Sequence, residues 1–382
     1  MDSLSSLNKS PFNDALIEFE KLMSQPNRVF MLGAGCSKCA GLPLTSELTN
    51  EVLKGMDKGS KSPEILEEIK KQFDGTGAPT IEDYMSEIVD LLAIASRRKG
   101  TGATKTSIGV NGKIYTIEEL HQALEEIKKQ ISNSLDTKKL DITTHRQFTQ
   151  AVHRTLRVGK DASARPVEYI VLNYDTLIED ALGLERVPYC DGFNGGSTGW
   201  WEELMYSKSD VSARVLKVHG SIDWCLLEDD DKLPRRLRTS NGSYNITPRE
   251  KVLIWPASTK YVETQRDPFA KIIEMMRRSL RPQSGTQVVL TICGYRFADT
   301  HINLEIDNAL RESDQRLTVL VFTEDETLQG QLKLWNEDVN TRDQVRVFSK
   351  KGLFHGDMKI SSTDELPWWK FENLTRILRG ER

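Results

Sequence analysis

Six short apolar runs constrain the fold of this chain more than any other feature of its sequence. Each run is continuous rather than alternating, as is typical of strands that are buried on both faces of a parallel sheet. The runs are Arg28–Leu32, Tyr169–Leu172, Val215–Val218, Val252–Trp255, Val288–Cys293 and Leu317–Phe322. Segments with helical spacing lie between several of them. This alternation predicts an α/β fold: a Rossmann-like, doubly wound parallel sheet of about six strands.

Polar or glycine-rich residues follow each of these runs. The six exits read GAGCS (33–37), NYD (173–175), HGS (219–221), PAST (256–259), GYRFAD (294–299) and TED (323–325). Ligands of open α/β sheets bind beyond the carboxyl ends of the strands, near the point where the strand order reverses. The sequence therefore predicts a nucleotide site that is built from several of these exits.

A long stretch separates the first two runs, too long for a single crossover helix. Residues 57–165 are therefore predicted to form a mostly helical insertion or small domain. Apolar residues recur at helical spacing over Ile81–Ser96 and Ile117–Leu135. Between these two helices, Asn111-Gly112 is a hairpin-turn signal.

The remaining residues divide into a core and an extension. The Rossmann-like core is predicted to comprise residues 1–56 and 166–325, and residues 326–382 a C-terminal extension. Within the extension, Val345–Phe348 is predicted to be an edge strand.

Composition and charge exclude several classes of protein. The chain has 382 residues, with 38% hydrophobic and 28% charged, which is typical of a globular protein. Its net charge of −4 provides no basic field for nucleic acid, so direct nucleic-acid binding is not expected. The basic pair Arg277-Arg278 is predicted to be a solvated face. Apolar stretches long enough for a signal peptide or a membrane span are missing, which predicts a cytoplasmic location without membrane contact.

The glycine-rich loop at 33–37 follows a predicted strand and precedes a predicted helix over Leu44–Met56. In that context, glycines allow close backbone approach to phosphates, and the helix N-terminus favours negative charge. The third glycine of the dehydrogenase fingerprint is replaced by Lys38, and the chain has no G-K-[ST] of a P-loop. The loop therefore indicates a diphosphate-bearing ligand but not hydride transfer or ATP hydrolysis.

Three short motifs follow successive predicted strands in a characteristic order. They are Gly33–Ser37 with Gly41-Leu42-Pro43, then Asn173-Tyr174-Asp175, then His219-Gly220-Ser221. This set resembles the silent-information-regulator, or sirtuin, family. With Gly294–Phe297 and Asp299–Asn303 included, it is similar to the bacterial sirtuin-like proteins of anti-phage defence, over most of residues 28–322.

The resemblance implies a role for each matched position. It implies that NAD⁺ is bound by Gly33, Ala34, Gly35, Cys36, Ser37, Leu42, Pro43, Gly294 and Tyr295. It implies that His219 is the general base, that Asn173 positions ribose hydroxyls or water, and that Asp175 orients the ribose or nicotinamide. These residue types suit cleavage of the nicotinamide–ribose bond, which requires stabilisation of a developing cation and transfer of one proton.

Cysteine spacing separates this chain from the sirtuins that remove acyl groups from proteins. Those sirtuins carry a zinc module with two C-x-x-C pairs, whereas Cys36–Cys39 is the one such pair here, and no zinc or other metal is expected. The helical insertion stands in place of that module. Water is then the simplest acceptor, so NAD⁺ is predicted to be a substrate that is hydrolysed to nicotinamide and ADP-ribose.

Three alternatives stay open from the sequence. The first is an NAD-dependent protein deacylase, and the second is a non-catalytic NAD or ADP-ribose sensor. The third is a redox role for Cys36 and Cys39, because C-x-x-C at a helix start can lower the pKa of a thiol.

The resemblance also implies a biological role and partners. The expected role is depletion of NAD⁺ as an effector of abortive infection. A free NAD⁺ hydrolase would harm its own cell, so regulation by assembly is expected. The resemblance implies a homo-oligomer with a HerA-type hexameric ATPase as partner.

Overall fold

The structure is a computed structural model that describes residues 4–73, 78–102, 106–136, 139–154, 165–195, 198–227, 236–239, 248–253 and 267–381. Its strands are β1 Arg28–Leu32, β2 Ile108–Val110, β3 Lys113–Tyr115, β4 Val167–Val171, β5 Tyr189–Cys190, β6 Phe193–Gly195, β7 Thr198–Trp201, β8 Ala213–Lys217, β9 Gly220–Leu227, β10 Arg236–Thr239, β11 Pro248–Leu253, β12 Val288–Cys293, β13 Leu317–Thr323, β14 Val345–Ser349, β15 Gly352–His355 and β16 Met358–Ser361. The helices are α1 Phe12–Met23, α2 Thr45–Gly55, α3 Ser62–Lys70, α4 Ile81–Gly100, α5 Ile117–Asp136, α6 Thr143–Arg154, α7 Leu177–Leu184, α8 Phe269–Leu280, α9 Thr300–Glu312, α10 Gly330–Glu337 and α11 Phe371–Leu378.

Within the described residues, the main sheet has nine strands in the order β16-β15-β14-β13-β12-β1-β4-β8-β5. Every neighbouring pair from β14 to β5 is parallel, and β15 and β16 add an antiparallel edge. After β1, the chain adds β4 and β8 on one side of β1, and it later adds β12 and β13 on the other side of β1. The strand order therefore reverses between β1 and β12, which confirms the predicted α/β, doubly wound parallel sheet.

Helices cover both faces of this sheet, as a parallel sheet requires. On one face, α8 and α9 contribute Ile272, Met276 and Ile306 to an apolar layer against the strands. On the other face, α1, α6 and α11 bury Phe19, Phe148 and Leu374. Both faces of the strands are therefore apolar, which explains why the strand sequences read as continuous hydrophobic runs.

The insertion has an apolar cluster of its own. Helices α2 to α5 and the β2–β3 hairpin enclose side chains that include Val52, Ile88, Val110 and Ile127. The predicted helices correspond to α4 and α5, and the predicted turn at Asn111-Gly112 joins β2 to β3. The domain limits at 57–165 and 326–382 stay a prediction. Among the described residues, no helix is long and apolar enough to span a membrane.

Two strand predictions need correction. The run Val252–Trp255 was expected in the parallel sheet, but Val252 and Leu253 end β11, which pairs with β9 in a separate antiparallel sheet that has five strands among the described residues. Residues 254–255 and the exit at 256–259 lie outside the described residues. Val345–Phe348 is β14 but not an edge strand, because the β15–β16 hairpin pairs with it. An apolar run specifies a strand, whereas its neighbours depend on tertiary packing.

Candidate active site

The candidate site lies at the carboxyl ends of β1, β4, β8 and β12, where the strand order reverses. The loops after these four strands carry the predicted site residues except Leu42 and Pro43, which precede α2. The four strands are neighbours in the sheet, so residues more than 250 positions apart in the sequence meet there. The sheet topology thus brings together the exits that the sequence analysis selected.

The glycine loop after β1 packs directly against the loop after β12. The Gly33 amide donates to the Cys293 carbonyl at 3.0 Å, and the Gly35 amide donates to the Gly294 carbonyl at 3.0 Å. A Cβ atom added to Gly33 would lie 2.4 Å from the Gly294 carbonyl oxygen. Gly294 has φ +68°, and a Cβ there would lie 2.6 Å from the Cys36 amide nitrogen. Glycines are therefore required here for contact between two loops, whatever ligand the loops hold.

A hydrogen-bonded chain joins the exits of β1 and β4. The Asn173 amide donates to the Ser37 hydroxyl at 2.7 Å and to the Gly33 carbonyl at 3.1 Å. The Ser37 hydroxyl donates to Asp175 Oδ2 at 2.7 Å. The other carboxylate oxygen of Asp175 accepts the Leu177 amide at 3.1 Å, at the start of α7. Both Ser37 and Asp175 are buried. Three predicted site residues therefore form one ordered group.

A buried charged pair lies beneath this group. Lys217, which ends β8, is almost fully buried, and its ammonium donates a hydrogen bond to the Asp175 carbonyl. The Lys217 ammonium also lies 3.5 Å from Glu179 Oε1 on α7. Burial raises the pKa of Glu179 to about 7, and the charge of Lys217 opposes that rise. Sequence reasoning missed both residues, because Lys217 lies inside an apolar strand run and Glu179 inside a helix.

His219 lies directly beyond β8, and its ring is buried. Its Nδ1 is 3.2 Å from the Leu172 carbonyl oxygen. A carbonyl oxygen can only accept, so Nδ1 carries the proton of the neutral ring and Nε2 is the basic nitrogen. Nε2 lies 3.7 Å from Asp299 Oδ1. This arrangement suits a general base whose protonated form faces a carboxylate.

The loop after β12 supplies residues that the predicted set did not include. Asp299 faces His219, and the ring of His301 lies 5.8 Å from the His219 ring between centroids. The Tyr295 hydroxyl is 3.1 Å from Asn303 Oδ1 and accepts the Asp299 amide at 3.2 Å. Tyr295, expected to bind NAD⁺, thus orders the segment that carries Asp299. The sequence feature that could have identified Asp299 is its position in the polar segment GYRFAD directly after β12.

A cavity of about 80 Å³ lies between the strand exits and the helical insertion. Its lining includes the predicted residues Ala34, Ser37, Leu42, Pro43, Asn173 and Asp175. Helices α4 and α5 close it with Ile81, Met85, Ile131 and Leu135. Among the described residues, His219, Gly33, Gly35, Cys36, Gly294 and Tyr295 do not line it. The cavity is smaller than the 300–1,000 Å³ that small-molecule sites usually provide.

The cysteines of the glycine loop are protonated thiols at neutral pH. Cys36 is buried, and its thiol donates to the Cys293 carbonyl at 3.2 Å. Burial raises the pKa of Cys36 well above its ordinary value and raises that of Cys39 to about 11. A redox pair requires a lowered pKa, so these shifts argue against that alternative. No group of three or more metal-ligating side chains occurs among the described residues.

Comparisons with known proteins give one sequence match and several structural likenesses. No curated protein matches the chain. Among solved structures, a complex of a Sir2 homologue with NAD has 10% identity and a TM-score of 0.40, over 83% of this chain and 85% of that chain. Two mutants of a Sir2 homologue with ADP-ribose each have 11% identity. The histidine-to-asparagine mutant has a TM-score of 0.39 over 95% of both chains, and the serine-to-alanine mutant has 0.38 over 95% of this chain and 96% of that one. In sequence, the family model described as SIR2-like domain matches residues 167–342, the segment that runs from β4 to the turn before β14.

Proposed function

We propose that this chain binds NAD⁺ and hydrolyses it to nicotinamide and ADP-ribose. The observation that carries the proposal is the group formed by Ser37, Asn173 and Asp175 beside His219, at the carboxyl ends of adjacent parallel strands. The match of residues 167–342 to the SIR2-like domain supports it, because that segment contains Asn173, Asp175 and His219.

The proposed reaction breaks the bond between nicotinamide and C1′ of the ribose and forms a bond from C1′ to a water oxygen. Nicotinamide leaves as a neutral molecule, and the water loses one proton. The transition state resembles an oxocarbenium ion, so carboxylate and amide groups near the ribose stabilise it. Asp175 supplies the carboxylate, and Asn173 supplies the amide oxygen, because its nitrogen already donates to Ser37 and Gly33.

His219 takes the proton in this proposal. Its Nε2 is the basic nitrogen, since Nδ1 donates to the Leu172 carbonyl. Once protonated, the ring faces the Asp299 carboxylate at 3.7 Å, which stabilises the new positive charge. Asp299 is therefore a positioning residue that acts through His219.

The observed cavity is too small for a dinucleotide. Its wall on the insertion side is formed by α4 and α5, with apolar side chains that include Met85 and Ile131 and with one carboxylate, that of Glu82. We propose that these two helices move away from the strand exits to admit NAD⁺ and then cover it. Covering the site would exclude bulk water and strengthen the electrostatic interactions within it.

Product analysis tests the proposal. Purified protein is incubated with NAD⁺, and nicotinamide and ADP-ribose are quantified by liquid chromatography with mass detection. We expect turnover by the wild type and its loss in His219→Ala and Asn173→Ala. His355→Ala is the matched control, because His355 also bonds a backbone carbonyl, that of Val345 at 3.0 Å, but lies on β15. Binding of NAD⁺ without turnover in any preparation would contradict hydrolysis and favour a sensor.

We also propose that the chain acts as an NAD⁺-depleting effector of anti-phage defence in the cytoplasm. The support is the motif resemblance together with the need to restrain a hydrolase that consumes a central cofactor. On the same ground we propose a homo-oligomer that assembles with a HerA-type hexameric ATPase. Native mass spectrometry with and without the ATPase tests the assembly, and monomers under both conditions would contradict it.

A further inference from the structure

A second cavity lies at the opposite edge of the main sheet from the candidate active site. Its volume is about 460 Å³, within the usual range for small-molecule sites. It opens beside the amino ends of β1, β4, β8 and β12 and is flanked by α8. Because β1 has five residues, roughly 15 Å of sheet separates the two edges.

Three adjacent strands contribute charged residues to this cavity. In the parallel register, Glu168 of β4 is paired with Val29 of β1 and with Arg214 of β8. Arg28 precedes Val29 and is buried, whereas Glu168 and Arg214 are half-buried. Arg214 Nη1 donates to Glu168 Oε1 at 2.9 Å. The floor of the cavity therefore contains two arginines and one carboxylate.

Helix α8 forms one wall. Lys271, Met275 and Arg278 line the cavity at spacings of four and three residues, which places them on one face of the helix. Arg165 and Arg281 complete the rim. Arg165 Nη2 donates to the Gln283 amide oxygen at 2.6 Å, so this bond leaves its positive charge without a neutralising carboxylate.

Positive charge is in excess around this cavity. Its lining includes six cationic side chains, Arg28, Arg165, Arg214, Lys271, Arg278 and Arg281, and one carboxylate, Glu168. Among the described residues, three carboxylates outside the lining lie within ion-pair distance of these cations, those of Glu203, Glu274 and Glu312. The described residues thus place six cations against four carboxylates around the cavity, in a chain whose overall charge is −4.

One of these cations also has an unsatisfied hydrogen-bond donor. Arg214 Nε is buried and has no hydrogen-bond partner among the described residues. A buried donor without a partner costs free energy that a bound acceptor would recover. Arginines offer several donors in a planar fork that matches phosphate oxygens.

We propose that this cavity binds a phosphorylated small molecule of nucleotide size. The cations of the floor and rim would hold its phosphates, and the apolar atoms of Val29, Met275 and Val288 would contact its organic part. The proposal does not depend on NAD⁺ hydrolysis at the other edge of the sheet.

Isothermal titration calorimetry of the full chain with ATP, AMP and inorganic pyrophosphate tests this site. ATP should bind, and its affinity should fall as salt is added, because exposed charges are screened. The double variant Arg165→Gln with Arg278→Gln should weaken ATP binding by roughly tenfold or more. Both side chains lie at the rim, and circular dichroism should show an unchanged fold.

Two control variants distinguish binding in this cavity from a general charge effect and from binding at the candidate active site. Lys333→Gln removes one charge from an exposed position on α10 and should leave the ATP affinity unchanged. Asn173→Ala alters the candidate active site and should also leave it unchanged. The proposal is overturned if no probe binds, if the rim variant binds ATP like the wild type, or if Asn173→Ala abolishes ATP binding.

Discussion

At the residue scale, the orientation of His219 follows from one backbone contact. The Leu172 carbonyl accepts from Nδ1 and so directs Nε2 toward Asp299. The two residues that orient the His219 ring thus follow different strands, Leu172 after β4 and Asp299 after β12. The sequence gives no sign that either residue contacts His219, whereas His219 itself stands in a recognisable motif.

Asp299→Asn tests the positioning role under the proposed function. We expect kcat for NAD⁺ hydrolysis to fall roughly tenfold or more, because the variant removes a charge that stabilises the protonated ring. We also expect the acidic limb of the rate profile to shift to lower pH, since the carboxylate favours the protonated ring. Steady-state kinetics from pH 5 to pH 9 measure both effects.

Asp314→Asn is the matched control, because Asp314 is exposed and its nearest ion-pair partner, Arg316, is 3.5 Å away. Its kinetics should equal those of the wild type. An unshifted pH profile in Asp299→Asn, with only a uniform loss of rate, would argue that Asp299 is merely structural.

At the element scale, two loops make contact that only glycine permits. Gly294→Ala introduces a Cβ 2.6 Å from the Cys36 amide at φ +68°. We expect a loss of about 2–5 kcal/mol in the free energy of unfolding, because backbone strain and steric overlap act together. Gly285→Ala is the control, since Gly285 has φ +73° but no atom within 4 Å of an added Cβ.

The control isolates backbone strain, so its loss should be about 1–2 kcal/mol. Urea denaturation of both variants measures the two losses. Equal losses would mean that the contact between the glycine loop and the loop after β12 contributes nothing beyond strain.

The contact between α6 and α11 predicts a pH dependence. His145 on α6 is buried, and its ring lies 5.1 Å from the Phe371 ring between centroids. Burial lowers the pKa of His145 to about 4, although the charges of Asp175 and Asp141 oppose this shift. The unfolded chain binds a proton near pH 6.5, whereas the folded chain does so near pH 4, so stability falls as pH decreases between these values.

The expected loss is roughly 3 kcal/mol between pH 7 and pH 4. His145→Leu removes the titrating group, so the loss in the variant should be smaller by that amount. His121→Leu, at an exposed position of α5, should behave like the wild type. Urea denaturation at pH 7, 5 and 4 provides the measurement, and parallel curves for wild type and His145→Leu would contradict the assignment.

Element types were more predictable than element partners. Five of the six apolar runs are parallel strands of the main sheet. They could be predicted because strands that are buried on both faces have continuous apolar sequences. The sixth run joins a different sheet, and the β15–β16 hairpin was missed although Gly356 at φ +56° marks its turn. Partner choice depends on contacts between distant segments, which a local pattern does not record.

At the scale of the whole molecule, the two proposed sites lie at opposite edges of the main sheet. The carboxyl edge was predictable, because polar exits after apolar runs are visible in the sequence. The cavity at the amino edge was not. Arg28, Arg165, Arg214 and Arg278 are far apart in the sequence, and the pair Arg277-Arg278 was predicted to be a solvated face. The pairing of β1, β4 and β8 brings Arg28 and Arg214 together, and the packing of α8 against the sheet adds Arg278.

Because α4 and α5 cover the candidate site, we expect these helices to move before NAD⁺ binds. If the helices must move first, the observed binding rate should reach a plateau as the NAD⁺ concentration rises. Stopped-flow fluorescence with an etheno derivative of NAD⁺ and the His219→Ala variant measures binding without turnover. A rate that increases linearly over the whole concentration range would contradict the need for opening.

In the proposed reaction water, not an acylated protein, receives the ADP-ribosyl group. The most direct test measures nicotinamide release from NAD⁺ by the wild type, with and without an acetyl-lysine peptide. We expect equal amounts of nicotinamide and ADP-ribose in both reactions, at a rate that the peptide does not change. Release that requires the peptide and yields O-acetyl-ADP-ribose would contradict NAD⁺ hydrolysis and identify a deacylase.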